Sequence, residues 1–184
     1  MSFLRDIKLL FGNLVYRNRL AKSKRTRKVY NFDQAHSIGI IYDATDKDNY
    51  EKVKAFVQYL KDQKKQVRSL GYFSTRYPGY IFHPKLEFSS FSVKNVNFFL
   101  IPGGIEVRNF MNEEFNILID LNMNNSFPLQ YICGLSKANF KVGITGNGHD
   151  IYDMMIHIEK KKTLENLLDQ VKKYLNMINK PVGV

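Results

Sequence analysis

Seven of the twelve residues from Arg17 to Lys28 are basic: Arg17, Arg19, Lys22, Lys24, Arg25, Arg27 and Lys28. Guanidinium and ammonium groups at this density pair with phosphate oxygens, either along a nucleic acid with release of its counterions or across an anionic lipid surface. The first thirty residues hold nine basic side chains against Asp6 alone, so they carry +8 of the chain's net +11. Charge gathered in one segment marks a local binding feature, whereas an even spread would act on solubility. Just ahead of the basic run, Phe3, Leu4, Ile7, Leu10, Phe11 and Leu14 recur at the spacing of one helix face. An apolar helix face followed by a polybasic run is also the two-part pattern of an interfacial membrane anchor. The segment therefore predicts a non-enzymatic adaptor with an anionic partner. RNA or a ribonucleoprotein such as the ribosome is the first expectation, and the surface of an anionic membrane is the alternative.

Carboxylates offer a second kind of chemistry. Asp43 and Asp120 fall at the carboxyl ends of short apolar runs that read as buried strands, and open α/β sheets bind ligands beyond those ends. The pair marks a candidate ligand crevice and a third reading, an enzyme or small-ligand binder. Cofactor fingerprints are missing from the sequence. The first strand-to-helix junction, YDATDKDN, has no glycine and three aspartates that would repel a pyrophosphate, and the glycine-rich GITGNGHD precedes a strand and reads as a turn. His36, His83, His149 and His157 lack metal-ligand spacing, and Cys133 stands alone in an apolar pattern, which excludes thiolate zinc and an intramolecular disulfide. No catalytic residue, metal or cofactor is expected. A lone cysteine, together with an N-terminus lacking a signal-peptide core and a chain lacking a long apolar span, predicts a cytoplasmic protein or one peripheral on the inner membrane face.

The elements that must position these groups alternate. SIGIIY (37–42), 67–73, NILIDL (116–121), 141–145 and 153–158 read as strands, and helices are predicted from Thr45 or Asp46 to about Gln63, near Ile105–Met111, from Pro128 to about Ser136, and from Thr163 toward Pro181. Alternating strands and helices predict a three-layer α/β/α Rossmann-like domain over 34–184, with a mainly parallel sheet of about five strands in the order 2-1-3-4-5, preceded by a basic helical arm over 1–30. Residues 74–104, rich in Pro, Gly and aromatics, read mostly as loop with one or two short strands, the aromatics anchoring it to the core.

Two stretches, IGIIYDATDKDNYEKVKAFVQYLKDQ (38–63) and FNILIDLNMNNSFPLQYICGLSKANFKVGITG (115–146), resemble an uncharacterised bacterial family of small basic proteins without an assigned function. The second is also similar to a segment in the N-terminal half of heptosyltransferase-type glycosyltransferases, where a strand ending in Asp-Leu leads to a helix and then a short strand ending in glycine. Those enzymes place Gln-Gly where Asn122-Met123 stands here. The resemblance thus implies a fold and transfers no catalytic residue.

Overall fold

The computed structural model describes residues 2–77, 79–80, 82–146, 151–158 and 162–178. Six strands form one parallel sheet: β1 (Ser37–Asp43), β2 (Gln66–Phe73), β3 (Phe88–Ser92), β4 (Ile117–Leu121), β5 (Phe140–Ile144) and β6 (Met154–Ile156), in the order β3-β2-β1-β4-β5-β6. This is the expected strand order with one strand added at the edge. The addition is β3, which falls within 74–104, where one or two short strands are expected, and pairs with β2 from Ser69↔Phe88 to Phe73↔Ser92. All five residues of β4 and of β5 are buried, as befits parallel strands covered on both faces.

Helices α2 (Lys47–Asp62) and α5 (Leu164–Met177) cover one face. Their Tyr50, Val53, Val57, Leu60, Leu167 and Val171 join Ile38, Ile40, Ile117, Ile119 and Val142 of the sheet in the larger core. Both begin at side-chain caps, Asp46 accepting from the Asp48 N–H and Thr163 from the Asn166 N–H. The other face carries α3 (Ile105–Asn112) and α4 (Phe127–Leu135), with Val107, Phe110, Leu129 and Ile132 packed on Ile41, Leu70 and Leu118. Pro128 occupies the first turn of α4. The 147–150 part of the glycine-rich turn, with His149, and Pro181 lie outside the described residues.

The aromatics of 74–104 are mostly anchors. Tyr80 and Phe82 stack around Tyr50 and Phe73, and the Tyr80 hydroxyl donates to the Ala44 carbonyl at 2.7 Å. Phe98 and Tyr77 stay exposed.

Candidate functional site

Helix α1 (Ser2–Lys22) lies along α4. Two glycines allow the close approach: a Cβ at Gly12 would meet the Phe99 carbonyl oxygen and the Phe127 ring, and one at Gly134 would collide with the Tyr16 ring. Leu9, Val15 and Tyr16 pack on Ile101, Phe127 and Tyr131, while Leu20 joins the core beneath α4. The side of α1 that packs inward is therefore not the apolar stripe most evident in the sequence. Leu4, Leu10, Phe11 and Leu14 point outward at 63%, 60%, 49% and 56% exposure, and Ile7 is half-buried. The Phe3 side chain lies outside the described residues. Exposed Phe99 and Phe98 extend the apolar surface, Phe99 tilted on Phe11 at 5.9 Å between ring centroids and Phe98 under the Lys8 ammonium at 4.3 Å.

The seven cations divide by role. Arg25 is structural: it donates to the Asn139 carbonyl at 2.8 Å and to Asp153 Oδ1 at 2.7 Å, with its side chain nearly buried. Arg19 donates to the Tyr131 hydroxyl. Arg27 lies 3.9 Å from Asp153 with most of its side chain in solvent, and Lys28 sits over the Tyr30 ring. Arg17, Lys22 and Lys24 are exposed. Beyond α1, the backbone of 23–28 is held too, since the Lys28 N–H donates to Asn139 O and Asn139 Nδ2 donates to Thr26 O.

The strand-end crevice lies where the strand order reverses between β1 and β4. Asp43 lines a cavity of about 780 Å³ together with Tyr72, Ser74, Asn124 and Ser126, and α1 contributes Arg5 and Lys8. Asp43 accepts from the Thr45 N–H at 2.9 Å and from Asn124 Nδ2 at 3.2 Å, so the carboxylate organises the loops around it. Asp120 does not join it there. It pairs in register with Ile41, two residues short of Asp43, and is wholly buried, accepting from the Asn122 N–H at 2.9 Å and the Tyr152 hydroxyl at 2.7 Å. Burial pushes its carboxyl up to about 6 against the opposing pull of those bonds and of Cys133. The Cys133 thiol beside it is buried and pushed well up, which suppresses thiolate chemistry. Among the described residues no group of three or more His, Cys, Asp or Glu is placed to hold a metal ion, and no helix is long and apolar enough to cross a membrane.

Sequence reasoning missed Lys141. It sits inside β5 in an apolar FKVGI context, and nothing in that pattern marks it as a buried charge beside the basic run.

Fold and site together define a doubly wound α/β protein with a cationic, half-apolar helix laid over one helical layer. The chain belongs to a family of unknown function, DUF6913, whose model matches residues 8–178. No curated protein and no solved structure matches it.

Proposed function

We propose that this protein is a non-enzymatic adaptor that rests on an anionic membrane surface through the outer face of α1. One observation carries the reading: Leu4, Leu10, Phe11 and Leu14 project from a helix whose opposite side is fixed to α4. Large exposed apolar stripes mark interaction sites. The composition around this one supports a lipid interface as its occupant. Lys8, Arg17 and Lys22 surround the stripe and Asp6 is the one acid on the helix, so apolar insertion and attraction to anionic headgroups act together. RNA remains the second reading, favoured by the exposure of Arg17, Lys22, Lys24, Arg27 and Lys28 along the held segment that follows.

Vesicle flotation and RNA co-sedimentation of the full chain test the choice. Binding to phosphatidylglycerol vesicles but not to neutral ones, lost in Leu10→Asp, is the expected result. RNA binding unaffected by Leu10→Asp, with no flotation, would replace the membrane by nucleic acid.

A further inference from the structure

Where the chain leaves α1 it closes over a small cavity of about 280 Å³, whose walls include Ser23, Lys24, Arg25, Arg27 and Lys141. Lys141 is the unusual member: it is the second residue of β5 and is 1% exposed. Its ammonium donates to the Gly134 carbonyl at 2.8 Å, and among the described residues no carboxylate lies within ion-pair distance. An ammonium offers three donors, and burying a charge without a counterion is expensive. Asp153, which the neighbouring cations share, is already engaged: Oδ1 accepts from Arg25 at 2.7 Å, and Oδ2 accepts from the Lys141 backbone N–H at 2.8 Å. Among the described residues, four cations thus border the cavity, and the carboxylate beside them, Asp153, is committed. Burial pushes the Lys141 ammonium down to about 8, Arg25 and Arg27 push it the same way, and Asp153 and Cys133 oppose them. Burial is thus the main cost to the Lys141 charge, and the groups around it act in both directions.

We propose that this cavity binds a phosphomonoester group, with Lys141 meeting it from inside the fold and Lys24 and Arg27 from the exposed rim. A phosphomonoester carries between one and two negative charges near neutral pH and three strong acceptor oxygens, which suits several cations with donors to spare. A carboxylate would bring a single charge and leave most of the excess uncompensated. Arg25 is the positioning residue, since its bonds to Asn139 O and Asp153 fix the segment that carries Lys24 and Arg27. The site goes beyond the membrane reading and does not depend on it, because none of the outward apolar residues of α1 borders the cavity.

The test uses the full chain with inorganic phosphate and glycerol phosphate as probes, at ionic strength matched with chloride. Thermal unfolding should shift upward with either phosphate, and titration calorimetry should show Lys141→Met and Arg27→Gln each weakening binding about tenfold, the worth of one charge-assisted hydrogen bond. Lys137→Gln, outside the cavity, should bind as the parent does. If Lys141→Met does not fold, Arg27→Gln and Lys24→Gln carry the test from the rim. Vesicles of phosphatidic acid and phosphatidylglycerol at equal charge separate the sources: preference for the former, lost in Arg27→Gln, assigns a lipid headgroup, and equal binding beside a phosphate shift assigns a soluble ligand. Leu10→Asp should keep the phosphate shift, which separates failure of this site from failure of membrane docking. A shift no larger than chloride gives, or parent affinity in all three cavity variants, would overturn the proposal.

Discussion

Burial raises the folded-state pKa of Asp120 from 3.8 to about 6. The folded chain therefore holds this proton more tightly than the unfolded one, so the stabilisation is complete below about pH 4 and is lost as pH rises through about 6. Two pKa units correspond to about 3 kcal/mol. Asp120→Asn, which keeps the shape and can still accept from the Asn122 N–H, should flatten the pH dependence of urea unfolding between about pH 4 and 6. Parallel curves for parent and variant would contradict the buried acid. Lys141 has the opposite sign: its folded pKa is lowered from 10.5 to about 8, so its share of stability is present above the unfolded value and lost as pH falls through 8. Its side-chain NMR titration should centre near 8 without phosphate and move up when phosphate is added. The sequence reads Asp43 and Asp120 as equals, since strands apolar on both faces show no alternation to tell a lining residue from a buried one. Asp43 is the last residue of its strand and reaches the crevice, whereas Leu121 still follows Asp120 within β4.

At the level of elements, α1 is a helix in the sequence as in the structure, but its orientation is not legible there. Its periodicity favours Leu4, Ile7, Leu10, Phe11 and Leu14, while the packing side is set by Gly12, Tyr16 and Leu20 against α4. A glycine inside an apolar helix reads as a weakness of about 1 kcal/mol, and its value appears only when Phe99 and Phe127 lie against it. The same logic gives a prediction for the crossing. Gly134→Ala places a methyl group where the Tyr16 ring sits, an overpacking that should cost about 1–3 kcal/mol in denaturant unfolding. The buried Tyr16 hydroxyl has no hydrogen-bond partner among the described residues, so Tyr16→Phe should be neutral or stabilising by about 1 kcal/mol. A large loss in Tyr16→Phe would mean that the hydroxyl has a partner. The Thr163 cap is legible because it acts locally, the sequence leaves the first cap between Thr45 and Asp46, and the short strand expected within 74–104 gets its bounds only from pairing with β2.

For the molecule as a whole, the basic segment has to be divided before it is neutralised. Removing all seven charges would also remove Arg25, whose bonds to Asn139 O and Asp153 tie 23–28 to the residues just before β5 and β6, so lost binding and lost folding would be confounded. Arg17 and Lys22 are free of that difficulty: both are exposed, and Arg17 lies one turn beyond Leu14. Each lysine or arginine near an anionic leaflet is worth about 1 kcal/mol, so Arg17→Gln with Lys22→Gln should weaken binding to phosphatidylglycerol vesicles about thirtyfold at low salt. Stability should change by less than about 0.5 kcal/mol, as for surface substitutions generally. Salt then discriminates between the two partners. Screening shortens the reach of the charges to about 3 Å at 1 M and leaves apolar insertion in place, so parent and double variant should converge on the same residual flotation at high salt. An RNA complex has no such floor: its affinity falls with a log–log slope of about −0.7 per contacted phosphate on single strands. Flotation that disappears with salt in the parent, alongside a linear RNA slope reduced by about 1.4 in the double variant, would assign the exposed cations to nucleic acid and leave the stripe of α1 to a protein partner.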